Sequence, residues 1–299
     1  MFSLNRNKVE SLNTEGGVID KTYQVSGTNT VVTRTQVGSS IGDFYGYKVI
    51  GRINNANDIY DSEGNLKVAL PEGVPVGVDG VWVGDWLYED VTPDGVINEM
   101  DRTNLGSPLP LFTGGFGNTF TWRNFDLNVY LTYSVGNKVL NWMRVTMDSP
   151  NVTHNKFSRV NDYAKLGLID ENGSDTDIWN VYVTEANTLM PRMSGSDQND
   201  NDRISSLYVE DASYLRIQNV SIAYRLPQKA LDKLHISSMK ISLNLQNLYT
   251  FSKYTGYDPE IGMTMDQYST TGQNALMNGI DTGRYPSPRI YTIGLNIGF

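Results

Sequence analysis

The stretch "DVTPDGVINEMD", residues 90–101, holds the residues best suited to chemistry. Its spacing is that of a calcium-binding loop. Asp90 stands first, Thr92 third and Asp94 fifth; Gly95 allows the sharp turn, Val96 offers its carbonyl, and Asp101 closes the loop. Calcium takes six to eight oxygen ligands, and such a loop supplies them from alternate positions. Ile97 fits the apolar anchor that follows. Three features depart from the pattern: Thr92 stands where Asp or Asn is expected, Pro93 stiffens the loop, and Asp101 is shorter than the usual Glu. The plainer reading is a polar turn built on Asp94-Gly95. Ca2+ is therefore the one candidate cofactor.

Other chemistry is thin. "DENGSDTD" (170–177) and "GSDQNDNDR" (195–203) read as solvated acidic loops, without the rigid spacing across a cleft that a glycosidase carboxylate pair needs. Trp82, Trp86, Trp142, Trp179, Tyr182 and Tyr208 have rings that can stack on sugar faces, but loop packing or an interfacial girdle explains them equally well. There is no cysteine, which removes disulfides, a thiol nucleophile and cysteine-based zinc sites. The two histidines, His154 and His235, stand apart. No phosphate loop, serine elbow or HExxH run is present, so the sequence reads as non-enzymatic. A formal net charge of −9 argues against nucleic acid as a partner.

The elements that carry these residues are strands. "RIYTIGLNIGF" puts Tyr291, Ile293, Leu295, Ile297 and Phe299 on one face and Thr292, Gly294, Asn296 and Gly298 on the other. Side chains along a strand alternate between faces, so one face is apolar and the other small and polar. "FDLNVYLTYSV" and "MKISLNLQN" do the same, with Asp126, Asn128, Lys240, Asn244 and Gln246 on the polar side. In "YLRIQNVSIAYRL" the apolar phase slips near Gln218–Asn219, which predicts a β-bulge. "TNTVVTRTQV" and "DFYGYKVI" give weaker strand signals, and "PQKALDKL" predicts a turn or two of helix. The mean hydropathy is −0.36, and no apolar run is long enough for a membrane-spanning helix.

Connection lengths discriminate between architectures. Only Arg123 and Asn124 separate two strands, "GSSIG" (38–42) is another short turn, and 227–238 is a modest link, whereas 51–111, 136–207 and 251–288 are very long. Counted back from the tail, long and short connections alternate. In an up-and-down meander that puts all short turns at one end and all long loops at the other, the asymmetry of an outer-membrane barrel. A wide barrel also tolerates a polar interior, so Asp126, Asn128, Lys240, Asn244, Gln246 and Asn296 are expected to line a lumen. The competing architecture is a soluble extracellular β-sandwich, stabilised by calcium and binding carbohydrate, though loops this long are unusual there.

Six blocks resemble, in order, the C-terminal part of the SusC/RagA family of TonB-linked outer-membrane receptors. They are "SLNRNKVESL", "GSSIGDFYGYKVIG", "PDGVINEMDRTNLGSPLPLFTGGFGNTFTWRNFDLNVYL", "YVEDASYLRIQNVSIAYRLP", "LNLQNLYTFSKYTGYDPE" and "GIDTGRYPSPRIYTIGLNIGF". The resemblance implies an all-β fold, with residues 1–299 forming about eight strands of an antiparallel transmembrane barrel of about 22. The plug domain and first strands would lie outside this chain, whose start reads as a strand already under way. It further implies a Bacteroidetes-like outer membrane, a SusD-like surface lipoprotein as partner, the TonB system as energy source, and a glycan or peptide as cargo. Tyr291, Ile293, Leu295, Ile297 and Phe299 would then form the signal read by barrel-assembly machinery.

Overall fold

A computed structural model describes residues 1–13, 17–25, 28–149, 155–265 and 273–299. Its organising element is a six-stranded antiparallel meander: β1 (Phe2–Leu4), β2 (Phe112–Trp122), β3 (Phe125–Val135), β4 (Tyr214–Arg225), β5 (Ser238–Ser252) and β6 (Ile290–Gly298). Each strand pairs with its neighbours in chain order. The short links, Arg123–Asn124 and the one containing the helix α2 (Gln228–Leu234), share one end, and the three long loops share the other. Tyr130 of β3 pairs with Asn219 and the next residue, Leu131, with Ile217, so Gln218 is the extra residue of a bulge. That is where the apolar phase slips in the sequence.

The two weaker strand signals are strands, but they do not join this sheet. Thr28–Gln36 and Asp43–Gly46 pair with Val18–Val25 and Thr103–Gly106 in a separate four-stranded sheet among the loops. Alternation along a strand specifies its two faces and not which sheet it enters.

The burial is inverted relative to a soluble β protein. Ala223 is the one buried apolar residue that the six strands contribute. The apolar cores lie in the loops instead: Ile53, Ile59, Val83 and Val181 form one, and Val32, Phe44, Leu140, Ile204 and Met277 another. Meanwhile Ile293 is 80% exposed and Leu295 59%. A β-sandwich would press a second layer onto those side chains. Among the described residues nothing covers them, so the sandwich alternative fails. No helix among the described residues is long and apolar enough to cross a membrane.

Candidate functional site: a two-faced wall and its loop crown

The register fixes what each face carries. One row runs Phe120, Leu127, Ile222, Leu243, Ile293; the next runs Asn118, Val129, Val220, Leu245, Tyr291. Aromatics sit at both ends of this face. Phe125 and Tyr224 meet at 4.6 Å near the short turns, with Trp122 beside them in register. Phe112 and Tyr133 at 6.2 Å, and Tyr249 and Phe251 at 4.7 Å, occupy the long-loop end. An apolar band flanked by two aromatic girdles is the outward surface of a barrel crossing a bilayer.

The opposite face is polar. Thr119, Asn128, Ser221, Asn244 and Thr292 form one row, and Arg225, Lys240 and Asn296 another. Gln246 shares the face, opposite Asn219. All six residues expected to line a lumen therefore lie on one surface. Asp126 accepts from Thr121 Oγ1 at 3.0 Å and from Arg225 Nη2, and Asn128 accepts from Thr119 at 2.5 Å. The ring of Tyr130 lies across β2 on this face. A Cβ at Gly115 would come within 2.6 Å of its hydroxyl, so a larger residue there would push the ring aside.

Arg216, which the sequence reading did not single out, is the most deeply buried charge on this face. It is 3% exposed and pairs with Asp258 at 2.5 Å and Glu260 at 2.6 Å. The block "SKYTGYDPE" thus folds back onto β4. Tyr254, from the same block, donates to buried Asp281 at 2.6 Å; its burial, reinforced by that bond, pushes the phenol well above its ordinary pKa. A lone arginine amid strand residues was the available signal, but its partners lie some forty residues on.

The calcium-like loop has a definite geometry. Asp90 Oδ2 accepts from the backbone of Gly95 at 2.9 Å, while its Oδ1 is buried without a hydrogen-bond partner. Asp94 accepts from Val96 N, and the Thr92 hydroxyl donates to the Met100 carbonyl. Val96 belongs to a two-residue strand beside Leu70–Pro71. Asp101, fully buried, turns both oxygens to backbone donors: Oδ1 to Val91 and Thr92, Oδ2 to Asn98. The free oxygen of Asp90 suits a cation. The carboxylate that should complete the shell is already spent, and no group of three or more acidic or histidine side chains among the described residues is placed to hold a metal. The ligand set does not fit calcium as it stands.

The loop "GSDQNDNDR" corrects the reading of a solvated segment. Asn199, Asn201 and Asp202 are buried. Asn201 donates to Asp197 at 2.6 Å and to Asp85 at 3.0 Å, and accepts from Trp86 N. Arg192 clamps Asp85 at 2.7 Å. Burial pushes the Asp197 carboxyl up to about 6, against the opposing pull of the Asn201 amide and with the help of nearby Asp85 and Asp202. Trp82, Trp142 and Tyr208 are also buried, which removes them as sugar platforms, whereas Trp179 and Tyr182 stay exposed. His235 ends α2 in the left-handed region; His154 lies outside the described residues.

The likeness to known proteins follows the same architecture. TonB-dependent receptor P3 of Formosa agariphila is 31% identical over 302 residues, covering all of this chain and 26% of the receptor. Over its whole length the chain is similar to the TonB-dependent receptors. Receptor P26 of the same organism is 30% identical over the same span, and SusC of Bacteroides thetaiotaomicron 22% over 274 residues. The chain thus spans about a quarter of the length of the receptors it matches. A solved structure of the RagAB peptide transporter superposes with a TM-score of 0.60 at 19% identity, covering 100% of this chain and 26% of that one, which supports the barrel fold. No protein-family model matches. The relatives are receptors and a transporter, and the six-stranded meander has the fold of a wall segment of such a barrel.

Proposed function

We propose that this chain is the C-terminal barrel segment of a SusC-like importer in a Bacteroidetes-like outer membrane. It supplies part of the wall, part of the polar lumen lining and the extracellular loops. The plug, supplied by the remainder of the receptor, moves under force from the TonB system, and a SusD-like lipoprotein covers the loop crown. The cargo is a glycan or a peptide. The observation that carries the reading is the inverted burial: six strands with an uncovered apolar face, a hydrogen-bonded polar face, and all long loops at one end. Such a sheet is stable only where hydrocarbon meets the apolar side and the barrel closes. In the same reading Tyr291, Ile293, Leu295, Ile297 and Phe299 form the barrel-assembly signal.

The test uses the intact receptor that contains this chain. It should fractionate with the outer membrane, run faster on gels before heating than after, and co-purify with a lipoprotein. Cells lacking it should lose uptake of either labelled oligosaccharides or labelled peptides, which names the cargo. Removal of Phe299 should lower the amount of folded receptor. A soluble, heat-insensitive parent, or uptake indifferent to its loss, would refute the assignment.

A further inference from the structure

A pocket of about 220 Å³ opens between the helix α1 (Trp142–Met147), the turn Ser158–Asn161 and residues 255–257. Met143, Phe157 and Tyr257 give it apolar walls; Arg144 and Arg159 reach it as cations. The two arginines are differently employed. Arg144 donates from Nε to Asp148 at 3.0 Å and from Nη1 to Glu210 and the Leu207 carbonyl, both at 2.8 Å, so two of its three nitrogens are engaged. Arg159 has only Asp148 near it, 3.6 Å from Nε and beyond hydrogen-bond reach. That Nε is buried against Asp148, whose Oδ1 is likewise buried without a hydrogen-bond partner, so the part of the fork left for a solute is its two terminal nitrogens, for which no hydrogen bond is found among the described residues.

We propose that this pocket is a recognition subsite for a carboxylate carried on an apolar or ring-shaped body, with Arg159 as the fork that grips it. A guanidinium presents its donors in a plane that matches a carboxylate bidentately, and the two terminal nitrogens of Arg159 supply such a pair. Asp148 and Glu210 balance the two arginines, so the pocket carries no net positive charge: a carboxylate is held there by the hydrogen bonds of the fork, and a dianion such as phosphate is disfavoured. Its size admits a single amino-acid residue or sugar ring. The walls are the flat and flexible side chains of Tyr257, Phe157 and Met143, and Tyr257 is exposed at the mouth. A peptide C-terminus and an acidic sugar share this chemistry.

The proposal deepens the importer reading and rests on it only for the supposition that the pocket meets solutes from outside. The experiment measures binding to the detergent-purified intact receptor by saturation-transfer NMR. N-acetyl-leucine is compared with its amide, and methyl glucuronide with methyl glucoside. At least one acid should bind about tenfold or more tighter than its neutral counterpart. Arg159→Gln should bring that acid down to the neutral level and leave the neutral probe unchanged. Binding of N-acetyl-leucine assigns a peptide terminus, and binding of the glucuronide an acidic glycan. If acid and neutral probes bind alike, or neither acid binds, the proposal is overturned. Should Arg159→Gln fail to fold, the acid–neutral comparison on the native receptor and the loss of acid binding in Tyr257→Ala decide it. Uptake without acid binding removes this subsite alone; acid binding without uptake removes the importer reading alone.

Discussion

Arg216 of β4 and Asp258 of the loop after β5 meet at 2.5 Å, both buried. The bond joins the wall to a loop that begins two strand ends away in sequence, and it is backed by Thr250 Oγ1 at 3.0 Å on the arginine and by the Ser287 amide at 3.2 Å on the aspartate. Breaking a buried pair by removing one partner strands the other charge and costs about 3–5 kcal/mol. Arg216→Ala should therefore lower the temperature at which the intact receptor loses its fast-running folded form on gels, and expose residues 253–265 and 273–289 to limited proteolysis. Arg216→Lys should fall between the two, because it keeps the charge and loses the fork. An Arg216→Ala receptor as protease-resistant as the native one would show that the contact is idle. Glu260, more than half exposed, should contribute much less.

Asp101 closes the loop 90–101 through three backbone donors. We predict that Asp101→Ala destabilises this loop by about 1–3 kcal/mol for each donor left buried and unpaired. We also predict that a calcium chelator leaves the thermal stability of the intact receptor unchanged, since the carboxylate does the work of an ion. Faster hydrogen exchange at Val91, Thr92 and Asn98 in the variant checks the first claim. A chelator-induced loss of stability restored by calcium would overturn the second.

How much was legible in the sequence depended on the range of the interactions involved. The strand faces and the Gln218 bulge could be read because a period of two is local: each side chain's direction follows from its neighbours. The polar and apolar rows then followed once strands were taken in order. The loop crown was opaque for the opposite reason. Asp85 is buried only because Arg192, 107 residues on, arrives to pair with it, and nothing near either residue announces the other. "DQNDN" looked solvated because its polar groups are satisfied by that hub and not by water. Trp82 and Trp142 looked available for the same reason, their partners being distant loops. Asp101 could be placed in a turn, but not turned toward its own backbone, from spacing alone.

Asp197 makes that hub sensitive to pH. Its carboxyl is raised from 3.8 to about 6 by burial. A group whose native pKa is raised binds more protons when folded, so its stabilising contribution is complete below 3.8 and is lost as pH rises through about 6. Acidification from about pH 7 to pH 5 should thus stabilise the crown relative to Asp197→Asn, which cannot titrate. The check is the unfolding temperature of both proteins at the two pH values: the native receptor should gain on its variant at the lower pH. A difference that stays constant between the two would remove Asp197 as the source.

Thr292 and Ile293 are neighbours on β6 that face opposite ways, and they provide the sharpest test of which solvent each face meets. Ile293, in the row with Leu243 and Ile222, is 80% exposed in mid-strand. Thr292 lies in the row with Asn244 and Ser221. A lysine on the lipid side near the bilayer midplane costs about 2–4 kcal/mol, whereas a lumen lysine has water beside it. Ile293→Lys in the intact receptor should therefore cut the fraction that inserts and becomes heat-modifiable in lipid vesicles, and Thr292→Lys should leave that fraction close to native. Were water to bathe the apolar face, Ile293→Lys would be harmless and would improve solubility. Equal behaviour of the two variants would mean that neither face touches hydrocarbon, and the wall assignment would fall with it.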